Sequence, residues 1–155
     1  VCLKLHRKST LAKSLVICVV FLALKPVPAR NIDRALLTSI TNANIQTAVN
    51  GWISDSASAT AIYGDIADWD TSAVTTLYET FFEASSFNKD IGGWDISAVT
   101  TLERTFKAAT AFNQNVSAWD TSAVTSMQGT FNTASAFNQD IGAWDTSSVT
   151  YLDAT

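Results

Sequence analysis

The apolar positions of this chain recur with a period of 25 residues. Trp69, Trp94, Trp119 and Trp144 mark it, and Phe87, Phe112 and Phe137 keep step with them, as do Phe81, Phe106 and Phe131. Ile66, Ile91, Val116 and Ile141 form a further row, Val74, Val99, Val124 and Val149 another, and Leu77, Leu102, Met127 and Leu152 a third. Exchanges within a row keep apolar character, so each row reads as an inward-facing ladder. Self-similarity at such a period marks a repeat architecture, in which one unit cannot bury its own apolar set and stacks on its neighbours instead.

Within one unit the spacing changes. In SAVTTLERTFKAA, Val99, Leu102, Phe106 and Ala109 follow the three-and-four spacing of a helix face, with Asp95 or Ser97 placed as N-cap. The other half, FNKDIGGWD, is too short and Gly-rich for a helix and predicts a turn and a short strand over 90–95, with Ile91 and Trp94 inward. The expected fold class is therefore α/β, a solenoid of strand-turn-helix coils over 62–86, 87–111, 112–136 and an incomplete 137–155. Strands pair more closely than helices pack, which predicts a curved stack with the strands on its concave side.

Residues 30–61 lack the repeat and read as an N-terminal cap. Ile45, Ala48, Val49, Trp52 and Ile53 lie on one amphipathic helix face, with Asn42 or Asn44 placed to cap it, and SDSASATA reads as the loop into the first coil. Residues 1–29 are different again. Lys4, Arg7, Lys8 and Lys13 precede an apolar run from Leu15 to Leu24, and Val27 and Ala29 follow in small-residue cleavage positions. That is the layout of a secretory signal peptide, with the junction expected at Ala29/Arg30. The apolar run is about half of the ~20 residues that a membrane-spanning helix needs. Because the chain starts at Val1 and stops at Thr155, mid-coil by its register with Thr80, Thr105 and Thr130, it reads as a fragment with more coils or a cap to follow.

Charge narrows the function classes. From Arg30 onward five Lys and Arg face fourteen Asp and Glu, a balance of −9, which makes a poor phosphate-backbone binder and argues against nucleic acid. Cys2, Cys18 and His6 all fall in the first 29 residues, so the repeats carry no thiol and no imidazole. This excludes Cys/His zinc sites, disulfide stapling and Ser-His or Cys-His nucleophile pairs there. Asp65, Asp90 and Asp140, with Asn115 in line, form one polar row, and Asp70, Asp95, Asp120 and Asp145 another. Turn and capping duty is the expected role, with a calcium-like cation as the alternative. The amides of Asn88, Asn113 and Asn138 are expected to bond backbone groups at the turn. The sequon Asn115-Val116-Ser117 has no counterpart in the other coils and reads as coincidental. A regular array offers no unique pocket for a carboxylate pair, so no catalytic, cofactor or metal residues are assigned and the protein is expected not to be an enzyme.

The units FNKDIGGWDISAVTTL, FNQNVSAWDTSAVTSM and FNQDIGAWDTSSVTYL resemble those of BspA-like leucine-rich-repeat surface proteins, in their short-repeat, DUF285-type form. The resemblance covers 62–155, and ANIQTAVNGWISDSASATAIYGDIADWD is similar to the segment that introduces such arrays. It implies a leucine-rich-repeat-like solenoid on a secreted or cell-surface protein, with protein binding or adhesion as its work and no cofactor. A short array, and no lipid-attachment cysteine or wall-anchoring tail in view, are departures that leave its attachment open. The expected partner is an extracellular or surface protein or glycan, met on the strand face at Lys89, Gly92, Gln114, Ser117, Gln139 and Gly142. Saccharide or calcium binding, and a structural spacer, are the alternatives.

Overall fold

The computed structural model describes residues 37–153. The expected signal peptide over 1–29 and its expected cleavage junction lie outside the described residues. Two helices open the described part, α1 (Ile45–Ser54) and α2 (Ser56–Tyr63), followed by a single 3-10 turn at Ile66–Asp68. The amphipathic pattern of α1 buries Ile45, Ala48 and Val49, and Trp52 and Ile53 pack against the same core. Asn44 stands at its N-cap, but its side chain turns back and accepts from the Thr41 N–H at 2.8 Å. Asn42 instead joins the first coil, donating to Thr75 Oγ1 at 2.7 Å and accepting from the Thr75 N–H at 2.8 Å. The segment SDSASATA, expected as a loop, forms most of α2. Asp55 caps that helix by accepting from the Ser58 N–H at 3.2 Å, and Gly64 ends it with φ +83°, a conformation that glycine adopts freely.

The expected α/β, leucine-rich-repeat-like solenoid of strand-turn-helix coils is not what forms. Beyond Asp68, no described residue is in a helix, and extended pairing is limited to isolated parallel bridges, Thr101 to Ser126 and Ser126 to Tyr151. The strand expected over 90–95 is a pair of turns, in which Asp90 Oδ1 accepts from the Gly92 N–H at 2.9 Å and the Ile91 carbonyl accepts from the Trp94 N–H at 3.1 Å. The helix expected over 97–109 is a run of tight turns. Thr105, Lys107 and Ala109 donate to the carbonyls of Leu102, Arg104 and Phe106 at 3.0 to 3.1 Å, three residues back in each case. The N–H groups between them, on Leu102, Arg104, Phe106 and Ala108, leave the coil and donate to Ser126, Gln128, Thr130 and Asn132 of the next at 2.8 to 2.9 Å. Leu77, Glu79, Phe81 and Glu83 do the same toward Thr101, Glu103, Thr105 and Lys107.

Two physical causes explain the difference. The inward spacing of Val99, Leu102, Phe106 and Ala109 suits successive three-residue turns as well as one helix face, so periodicity alone does not separate them. The neighbouring coil then offers an acceptor to every second N–H, and Arg104 and Ala108 adopt φ +52° and +60°, which no right-handed helix accommodates. Buried Thr105 reinforces the arrangement, its hydroxyl lying 2.8 Å from the Leu102 carbonyl and 2.9 Å from that of Leu77.

The core is a set of aromatic ladders. Phe81, Phe106 and Phe131 stack at 5.1 and 5.4 Å, and Phe87, Phe112 and Phe137 at 6.0 and 5.9 Å. The two rows meet across the junctions between successive coils at 4.4, 4.1 and 3.9 Å. Trp69 stacks on Trp94 at 5.9 Å and Trp119 on Trp144 at 6.1 Å. Trp52 of α1 closes the second phenylalanine row, edge-on to Phe87 at 6.0 Å. Each ring buries on the order of 150–250 Å², so these ladders dominate the packing free energy.

Candidate interaction surface

Most repeated polar side chains are bonded within the stack. Asp95, Asp120 and Asp145 accept from the N–H groups of Ser97, Ser122 and Ser147 at 3.0, 3.1 and 2.8 Å. Bonding by the serine hydroxyls, and then by those N–H groups, holds the three carboxyls below the usual carboxylate range, against the repulsion that Asp70 and Asp120 exert on Asp95. Asp140 and Asn115 likewise accept from Gly142 at 2.8 Å and Ser117 at 2.9 Å. Asn88 Oδ1 accepts from the Asn113 N–H, and Asn113 Oδ1 from the Asn138 N–H, both at 2.9 Å. Among the described residues, no three acidic, cysteine or histidine side chains converge in a way that could hold a metal ion.

The six residues expected to meet a partner fall on this stitched edge, which is a series of turns and not a strand face. Gln114 Nε2 donates to Asn88 Oδ1 at 2.9 Å, and Gln139 Nε2 to Asn113 Oδ1 at 2.8 Å, so both amides help hold the stack. Gly92 lies so close beneath the Asn115 carbonyl that a Cβ would collide with it, while Gly142 and Ser117 donate their N–H groups within their own turns. Lys89 is exposed and sets its ammonium 5.8 Å from the ring centre of Trp52. Lys89, Trp52, Ile53, Ser86, Phe87 and Asn88 line an open hollow of about 230 Å³. The Trp52 Nε1 is buried and has no hydrogen-bond partner among the described residues.

A second edge stands apart. The segments 77–84, 102–109 and 127–134 read LYETFFEA, LERTFKAA and MQGTFNTA. Their first, fourth, fifth and eighth positions repeat and, except for half-buried Phe131, are buried. Their second, third, sixth and seventh positions differ in all three copies. Tyr78 is 46% exposed and Phe82 38%. Arg104 bridges to Glu79 at 3.1 Å with Glu103 at 3.8 Å, and the Lys107 ammonium lies 5.8 Å from the Phe82 ring centre. Periodicity draws attention to what repeats, whereas this edge shows itself only in what changes between the copies.

Residues 49–155 match the family described as "Mycoplasma protein of unknown function, DUF285". The chain belongs to that family. The matched span runs from within α1 through all the stacked turns, so the architecture above is that of a DUF285 segment together with most of the helix that covers its first coil. Neither a curated protein nor a solved structure matches the chain. No helix among the described residues of this DUF285 protein is long and apolar enough to cross a membrane.

Proposed function

We propose that this DUF285 protein is a non-catalytic module, exported or held at a cell surface, whose work is to bind another protein. The observation that carries the reading is the division of labour within the repeat. Its recurring Trp, Phe, Asn, Thr and Asp side chains build and stitch the stack, as when the indoles of Trp94 and Trp144 donate to the Ile66 and Val116 carbonyls at 2.8 and 3.0 Å. What faces outward is then a firm, extended surface carrying exposed aromatic and charged groups, which suits contact with a macromolecule better than chemistry on a small one. The basic and apolar layout of residues 4–29 supports export, and the likeness of the units to BspA-like surface proteins supports adhesion or protein binding.

The test is a panel of purified surface proteins and glycans probed with the full chain. Saturable binding to a protein, competed by the same protein in solution, is the expected result. Binding confined to glycans, or melting that rises with calcium and falls with chelator, would replace this reading with saccharide or cation binding. A chain that melts cooperatively and binds nothing would be a spacer.

A further inference from the structure

The interaction reading leaves open which surface is used and what it meets, and the structure carries both further. The edge at Tyr78, Glu79, Phe82, Glu83, Arg104 and Lys107 differs from the rest of the repeat in how its residues are chosen. Across 87–100, 112–125 and 137–150, at least two of the three copies agree at every position. At the second, third, sixth and seventh positions of 77–84, 102–109 and 127–134, no two copies agree. All three glutamates of the chain, Glu79, Glu83 and Glu103, lie here, with two of the three basic residues found between Leu37 and Asp153.

The backbone makes the choice of side chains informative. Glu79, Glu83, Arg104, Ala108 and Thr133 all adopt φ between +52° and +60°, where a side chain is disfavoured and glycine is not. Gly129 occupies the same place in its coil at φ +62°, so glycine satisfies the architecture there. Glu79 and Arg104 keep strained positions for a partly exposed ion pair, and such pairs contribute little to stability. At Glu79 and Arg104 the ion pair therefore offsets little of that conformational cost.

From this we infer that the edge bearing Tyr78, Phe82, Glu83, Arg104 and Lys107 is the docking surface for a basic protein. Tyrosine and arginine on a firm support are the side chains that most often anchor protein interfaces. Charge decides the partner's character. The edge itself carries Glu79, Glu83 and Glu103 against Arg104 and Lys107, within residues 37–153 that hold three Lys and Arg against thirteen Asp and Glu, and exposed Glu83, beside Phe82, makes no ion pair among the described residues. A second copy of this chain would meet it with the same sign of charge, and a nucleic acid would meet it worse. A protein surface offering Lys or Arg around an apolar centre complements it.

This inference rests on the interaction reading, and its test separates the two. The full chain is titrated against purified exported proteins of known sequence, half of them basic and half acidic. Three forms are compared: the unaltered chain, Tyr78→Ala/Phe82→Ala, and Lys89→Ala/Gln114→Ala/Gln139→Ala on the other edge. The expected result is a basic partner whose affinity drops about tenfold or more with the first variant, holds with the second, and weakens with added salt. Glu83→Lys, a change at an exposed side chain, weakens the same partner should the double variant melt early. Binding lost only with the Lys89, Gln114 and Gln139 variant, or an acidic partner bound at the Tyr78 edge, overturns this inference and leaves the interaction reading standing. Binding to none of the proteins overturns both.

Discussion

Trp119 donates its indole N–H to the main-chain carbonyl of Ile91, 3.2 Å away and one coil back. The indole thus does two things at once, stacking on Trp144 and answering a buried carbonyl. Trp119→Phe keeps an aromatic ring and removes the donor, so it should cost about 1–3 kcal/mol for the unpaired carbonyl, with some lost packing. Trp119→Ala should cost about 3–5 kcal/mol. Denaturant unfolding followed by far-UV circular dichroism measures both.

Thr105 is fully buried with its hydroxyl between two carbonyls, those of Leu77 and Leu102. Thr105→Val matches its shape but cannot donate, and should destabilise by about 1–2 kcal/mol. Thr100, exposed and bonded to the Thr75 carbonyl at 3.2 Å, should tolerate the same change to within about 0.5 kcal/mol. Equal effects at the two sites in chemical denaturation would contradict the assignment.

The turn carboxylates set the response to acid. Asp95, Asp120 and Asp145 have folded pKa values below the ordinary value of 3.8, so their contribution to stability is present above that value and is lost as the pH falls through the lowered ones. Melting temperature should therefore hold steady on acidification until the pH nears 3.8 and decline below it. Asp120→Asn keeps the acceptor for Ser122 and removes the charge, and should make the acid decline shallower. A decline equally steep in that variant, in melts across an acid series, would place the acid sensitivity elsewhere.

Left-handed residues give a paired prediction of opposite signs. Ala108 at φ +60° should be improved by Ala108→Gly, by about 0.5–1 kcal/mol after glycine's greater unfolded-state freedom is subtracted. Gly129→Ala should lower stability by about 1 kcal/mol through φ alone, since a Cβ there would meet nothing nearer than the Arg104 Cγ at 3.6 Å. Thermal unfolding of the two variants side by side reads both signs.

The stacking partners could be read from the sequence because register needs only the period. The rows of Trp69, Phe81 and Phe87 with their successors are the ladders found, and the helix at Ile45–Ser54 follows from its amphipathic face. Local conformation could not be read so well. Val99, Leu102, Phe106 and Ala109 have the spacing of a helix, yet the acceptors that decide their backbone lie on Ser126, Gln128, Thr130 and Asn132, about one coil away in sequence. Helix α2 escapes a reading by periodicity because SASATAIY has no apolar stripe, only Asp55 as a cap and Gly64 as a stop. At Gln114 and Gln139 the repeat pattern indicates a polar edge but not that their amides bond Asn88 and Asn113 of the preceding coil. The Tyr78 and Phe82 edge carries its information in what the copies do not share.

Trans-hydrogen-bond couplings between amide nitrogen and carbonyl carbon, measured by nuclear magnetic resonance on the labelled chain, test the architecture most directly. Couplings from the Phe106 nitrogen to the Thr130 carbonyl and from the Ala108 nitrogen to the Asn132 carbonyl are the predicted result, matching hydrogen bonds of 2.8 Å in both cases. Couplings from Phe106 to the carbonyl of Leu102, four residues back, would show a helix in the repeat and contradict the stack of turns on which the docking surface depends.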